Sequence, residues 1–171
     1  MRRAAVIALL TAALAAGGAG QAHAQTVMDK INRDEVIRLP KDDPDMAAAM
    51  RKARETLPQF LALWRAPRAS TSHFAVKVGI KDDVGGVEYF WITPFTEKDG
   101  RYSGRIDNDP NTVKNVKLGD TVRFGQDEIV DWLYLDGADM KGNYTACELF
   151  RREPRREAEA AIKRFRMSCQ L

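Results

Sequence analysis

Phe74-Ala75-Val76-Lys77-Val78-Gly79-Ile80-Lys81, read FAVKVGIK, is the stretch that decides the fold of this chain. Phe74, Val76, Val78 and Ile80 alternate with Ala75, Lys77, Gly79 and Lys81. A period of two with bulky apolar side chains on one side is a strand with one buried face. Asp82-Asp83-Val84-Gly85-Gly86 follows as a hairpin loop, because its glycines allow positive φ. Val87 to Phe95 then sets Tyr89 and Trp91 on one side and Phe90 and Ile92 on the other. A strand apolar on both sides belongs inside a sheet rather than at its edge.

The same alternation continues outward. Lys98-Asp99-Gly100 turns the chain into a third strand at Arg101 to Asp107, where Tyr102 and Ile106 flank Gly104. Asn108 to Asn115 is a turn-rich loop. Thr121 to Phe124 and Ile129 to Leu135 read as the fourth and fifth strands. Asp136-Gly137 and Lys141-Gly142-Asn143 are turns leading to an expected sixth strand at Tyr144 to Phe150. Upstream the period is near four. Met46, Ala49, Met50, Ala53, Leu57, Phe60, Leu61 and Trp64 form one helix face, with Asp45 as the expected cap and Ala66-Pro67 as the end. Pro58 lacks the donor for the helical ladder, which predicts a kink or break there. Downstream, Pro154 opens an amphipathic helix over Arg155 to Met167, with Ala158, Ala161, Ile162 and Phe165 inward. The expected fold is α+β, an antiparallel sheet of about five to six strands with an N-terminal and a C-terminal helix packed on it. A partly closed barrel is the alternative topology.

Composition sets the class and the compartment. The chain has 171 residues, 44% hydrophobic and 30% charged, the balance of a globular protein rather than a disordered one. Arg2 and Arg3 precede an apolar run from Ala4 to Ala16, and Ala22-His23-Ala24 supplies the small residues of a signal-peptidase site. Residues 1–24 are therefore expected to be a signal peptide cut between Ala24 and Gln25, leaving no transmembrane anchor. Losing Arg2 and Arg3 lowers the net charge from +3 to +1 over the remaining 147 residues. Residues 25–44 read as a polar arm, in which Val36, Ile37 and Leu39 could form a short edge strand, and 45–171 as a single domain. The expected location is the periplasm or the medium. A net charge of +1 outside the cytoplasm argues against nucleic acid as a partner.

From about Asp45 to Phe150 the chain resembles the YegJ-like bacterial family, a domain of unknown function. The residues that carry the resemblance are Phe74-x-Val76-Lys77, Glu88-x-x-Trp91, Gly104-x-Ile106-x-Asn108-x-Pro110, Gly119-x-x-Val122-x-Phe124, Ile129-x-Asp131-Trp132-x-Tyr134 and Gly142-x-Tyr144-Thr145. The resemblance implies no reaction, cofactor or catalytic residue. A looser similarity links the chain to bacterial toxin-immunity domains.

The chemistry-bearing residues do not form a diagnostic motif. Two Cys and two His are too few for most zinc clusters, and no Cys-x-x-Cys is present. Cys147 and Cys169 are instead expected to pair. A strand from Cys147 to Glu153 would travel about 20 Å at ~3.3 Å per residue. A helix from Arg155 to Cys169 would return about 21 Å at ~1.5 Å per residue. Asp107, Asp109 and Asn111 imitate a calcium loop, but Thr112 stands where the sharp turn needs Gly and Leu118 where a bidentate Glu is needed. Gly85-Gly86 lacks the Lys of a phosphate loop, and Ser70, Ser72, Ser103, Ser168 and His73 stand in no nucleophile motif. Glu88, Asp120, Glu128 and Asp131 could supply a carboxylate pair for acid–base work. Cross-strand pairing with Lys77 or Arg123 and turn capping by Asp120 are the more ordinary roles.

No catalytic, cofactor or metal residue is assigned. The expected function is an exported, non-catalytic binding or accessory protein with an envelope protein as partner. A toxin-immunity-like inhibitor and a carboxylate-dependent hydrolase are the alternatives. Lys77, Glu88, Trp91, Asp131, Trp132 and Tyr134 form the candidate binding surface, since large aromatics on sheets favour interfaces. From Arg151 to Arg166 seven basic residues face three acidic ones, a second surface suited to weak contact with anionic lipid.

Overall fold

The computed structural model describes residues 42–169. The expected signal peptide, its cut between Ala24 and Gln25, and the arm as far as Lys41 lie outside the described residues. Helix α1 spans Pro44–Arg65. Its cap is Asp43 rather than Asp45: the Asp43 carboxylate accepts from Met46 N at 2.8 Å, and Pro44 sits in the first turn. Asp45 instead adds a negative charge to that turn, where the helix dipole favours it. The helix does not break at Pro58. Pro58 and Arg54 are both exposed, so the lost ladder bond falls on the solvent side.

Six strands follow: β1 Thr71–Lys81, β2 Val87–Lys98, β3 Arg101–Ile106, β4 Thr121–Phe124, β5 Ile129–Asp136 and β6 Asp139–Gly142. They form one antiparallel sheet in the order β4-β3-β2-β1-β5-β6. The sheet is open, with β4 and β6 at opposite edges, so the barrel alternative is not adopted. Tyr144 to Phe150, expected as the sixth strand, is helical: α2 spans Tyr144–Arg151. The sixth strand lies just upstream at Asp139–Gly142, and Lys141 and Gly142, expected in a turn, pair with Tyr134 and Leu133 within it. Helix α3 spans Arg155–Phe165.

The core lies on one side of the sheet. Val76, Val78, Phe90, Ile92, Tyr102, Phe124 and Trp132 are buried there against Ala53, Leu57, Phe60 and Leu61 of α1. Phe60 stacks on Trp132 at 5.0 Å, and the Trp132 indole N–H donates to the carbonyl of Ala53 at 2.9 Å. At the other end of α1, Arg65 holds Glu97 of β2 at 2.8 Å. Gly142 has φ +79°, and a Cβ there would run into the Trp132 carbonyl and ring, so only glycine fits where β6 passes β5.

The C-terminal helix packs mainly on α2 rather than on the sheet. Cys147 and Phe150 meet Ala158 and Ala161 in a second, smaller core. Cys147 and Cys169 are joined, with their Cα atoms 5.4 Å apart. The pairing is the expected one, reached by a different route: Cys147 sits on a helix, so two helices rather than a strand and a helix bring the sulfurs together. Beyond α3 the chain closes the outer edge of β6, where Met140 N donates to Arg166 O at 3.0 Å and Met167 bridges Met140.

Candidate functional site

The side of the sheet away from α1 holds the residues of interest. The pairing of β1 with its neighbours puts Lys77 between Trp91 of β2 and Asp131 of β5, while Val76, one residue earlier, lies between Ile92 and Trp132 on the core side. Lys77 Nζ stands 4.5 Å from the Trp91 ring centroid, a cation–π contact. It also donates to Thr145 Oγ1 at 2.7 Å, and Thr145 Oγ1 donates to Asp131 Oδ2 at 2.7 Å. Asp131 is fully buried. Its carboxylate further accepts from Trp132 N at 2.8 Å, Tyr144 N at 3.2 Å and Thr145 N at 2.8 Å.

This arrangement explains why α2 begins where it does. Asn143 takes a left-handed φ of 55° and offers no side-chain cap. Asp131, twelve or more positions upstream, reaches the free N–H groups of the first helical turn instead. Burial pushes the Lys77 ammonium below its ordinary pKa, and the Asp131 carboxylate opposes that fall. The Lys77 amine and the Asp131 carboxylate are thus tied through one threonine hydroxyl.

Tyr89 completes the open side. It pairs with Gly79 across the β1–β2 ladder, and its ring lies over that glycine, 3.1 Å from where a Cβ would stand. Tyr89 is 43% exposed, and Val87 beside it is 40% exposed. Trp91 is half-buried. Ser103 and Arg105 of β3 pair with Arg123 and Thr121 of β4 on the same side.

Three members of the sequence-derived surface therefore converge: Lys77, Trp91 and Asp131. The other three do not belong to it. Trp132 and Tyr134 stack with Phe60 and Phe74 in the core. Glu88 organises the loop after β3. It accepts from Asn111 N at 2.8 Å, Thr112 N at 2.9 Å and Val113 N at 3.1 Å, and from Thr112 Oγ1 at 3.0 Å. Burial raises its pKa, but these four donors outweigh it and the net shift is downward. Among the described residues, none of Glu88, Asp120, Glu128 and Asp131 makes the expected direct ion pair with Lys77 or Arg123; Asp131 reaches Lys77 only through Thr145. Thr145, Tyr89 and Arg105 are added by the structure. The pairing of Tyr89 with Gly79 depends on the register between β1 and β2, which the sequence alone does not show.

The remaining carboxylates also serve the backbone. Asp120 accepts from Lys117 N at 2.9 Å, and Glu128 accepts from Gly125 N at 2.6 Å. The loop holding Asp107, Asp109 and Asn111 is shaped by Glu88. Among the described residues, no three His, Cys, Asp or Glu side chains gather as a metal group. His73 is exposed at a bulge of β1, 2.9 Å from Ser72 Oγ. In the Arg-rich segment, Arg152 grips Asp43 at 2.6 Å and Glu148 at 3.1 Å, Arg155 pairs with Glu159 at 2.8 Å, and Arg166 with Asp139 at 3.0 Å. No helix among the described residues is long and apolar enough to cross a membrane.

An open antiparallel sheet with helix α1 on one side and an aromatic, cationic face on the other defines an α+β domain in which Glu88, Asp120, Glu128 and Asp131 hold backbone N–H groups of its own loops and helix ends. The chain belongs to the family described as "Uncharacterized protein conserved in bacteria (DUF2314)", which matches residues 43–164. It is 36% identical over 126 residues to "Uncharacterized protein YegJ" of Escherichia coli (strain K12), a match covering 74% of this chain and 80% of that protein. No solved structure matches the chain. The family boundaries fit the fold: they begin at the Asp43 cap and run into α3, beyond residue 150 where the resemblance in the sequence ended.

Proposed function

We propose that this protein is a non-catalytic binding or accessory domain that works outside the cytoplasm, in the periplasm or the medium. A protein of the cell envelope docks on the open face of its sheet. The observation that carries the proposal is Tyr89: a 43%-exposed aromatic residue whose ring edge meets Gly79, next to Trp91, on the side of the sheet away from α1. Aromatic side chains of this kind give large contact area at little cost in side-chain freedom. The occupied carboxylates favour this reading over a hydrolase, since Asp131 and Glu88 already accept four hydrogen bonds each and lie on opposite sides of the sheet. Export is supported by the leader-like residues 1–24 and by the bonded cysteines, which persist in oxidising compartments.

Site-specific photo-crosslinking in living cells tests the proposal. A photoreactive residue at position 89 is expected to give a discrete higher-mass adduct in the fraction released by osmotic shock. The same residue at Lys52, on the exposed side of α1, is the control and is expected to give none. Equal labelling from both positions, or none from position 89, contradicts the docking surface. Recovery of the protein only from the cytoplasm contradicts the location.

A further inference from the structure

The two edges of the sheet are finished differently. The outer edge of β6 is taken by the chain itself, through Met140 N to Arg166 O and the Met140–Met167 bridge. Among the described residues the edge at β4 has no such cover. Thr121 to Phe124 pair with β3 on one side, and among the described residues no backbone bond reaches their other side. An uncovered strand edge is a template for a further strand. Charge marks what that strand would carry. Arg123 lies on β4, and Arg105 lies diagonally from it on β3, on the open side of the sheet. Like charges at such a diagonal repel. Among the described residues neither guanidinium has an ion pair or hydrogen bond, in contrast to the paired arginines of the C-terminal segment.

We propose that the β4 edge takes an extended acidic segment of a partner protein. The segment pairs its backbone with Thr121 to Phe124 and sets alternate carboxylates against Arg123 and Arg105, on the face that also carries Tyr89. Arginine suits the role, because its planar fork holds a carboxylate through two parallel bonds. This inference rests on the docking reading above and names its partner chemistry.

The probe is a fluorescent peptide of alternating Thr and Glu, titrated into the purified protein. Three comparisons accompany it: the Thr–Lys peptide, the Thr–Glu peptide N-methylated at alternate residues, and vesicles of phosphatidylglycerol. The Thr–Glu peptide is expected to bind. The Thr–Lys and N-methylated peptides are expected to bind at least about tenfold more weakly, the loss of a charge-assisted or backbone pairing set. Arg105→Glu with Arg123→Glu is expected to abolish binding, with the near-ultraviolet circular dichroism unchanged. Should that variant misfold, amide chemical shifts of the wild-type protein decide: peptide-induced changes belong at residues 103–105 and 121–124. Changes confined to Arg155 to Arg166, undiminished binding of the N-methylated peptide, preference for the vesicles, or no binding of the Thr–Glu peptide each overturn the inference. An adduct from position 89 that persists while the peptide arms fail leaves the docking surface standing and removes the acidic strand.

Discussion

Strand β2 shows two surfaces one residue apart. Phe90 and Ile92 are completely buried beneath α1, while Tyr89 between them and Val87 is 43% exposed on the other side. The covered side holds a continuous aromatic layer, with Phe60 against Trp132, Phe95 against Trp64 and Tyr102 against Phe124. The open side carries Tyr89 and Trp91, of similar size, and α2 reaches that side through Thr145, at Lys77 and Asp131. Hydrophobicity alone does not separate the two sides. What separates them is the partner: α1 supplies one for Phe90, and on the proposed reading a second molecule supplies one for Tyr89.

The largest effect expected from this comparison is on the covered side. Phe60→Ala removes the ring that joins α1 to Trp132 and should cost about 3–5 kcal/mol, enough to leave much of the protein unfolded at room temperature. Urea denaturation measures it, and a loss under about 1 kcal/mol would mean that the aromatic layer is not the core. Next is the disulfide, which closes a loop of 22 residues. Replacing both cysteines by alanine should cost about 3 kcal/mol on the chain-entropy argument. Mass measurement with and without reductant should show the two-hydrogen difference of a closed bridge.

Acid should weaken the join between α1 and α2. The Arg152 guanidinium, helped by the N–H of Met46, holds the Asp43 carboxyl down at about 2, against an ordinary 3.8. A depressed carboxyl contributes in full above its unfolded pKa, and the contribution fades as pH falls through the folded value. The urea midpoint should therefore drop between about pH 5 and about pH 2, and drop less in Asp43→Asn. Identical pH slopes for the two proteins would remove Asp43 from the account. The smallest expected effect on stability is that of Tyr89→Ala, within about 0.5 kcal/mol, the range of exposed positions.

The sheet was readable in the sequence because its signals are local. FAVKVGIK and the Val87–Phe95 run alternate cleanly, and the glycine turns between them set the hairpins. Tyr144 to Phe150 departs from the expected strand because its helix is capped from a distance. Asn143 gives no local cap, and Asp131 of β5 supplies the acceptor instead. The site was half legible for a related reason. Lys77, Trp91 and Asp131 are adjacent by strand pairing, which alternation predicts once register is known. Glu88, Trp132 and Tyr134 are of the same residue types on the same strands, but their side of the sheet depends on where α1 packs. By residue type Trp132 is as suited to an interface as Trp91, and its contacts with Ala53 and Phe60 place it in the core instead.

The measurement that tests the two-sided account most directly sets Tyr89→Ala beside Phe90→Ala, reading thermal midpoint and recovery of the crosslinked complex from a photoreactive residue at Trp91. Tyr89→Ala should keep the wild-type midpoint within a few degrees and lose most of the complex, and Phe90→Ala should lose the fold itself. A Tyr89→Ala protein that unfolds like Phe90→Ala, or that retains its full yield of complex, would contradict the assignment of binding to the open face.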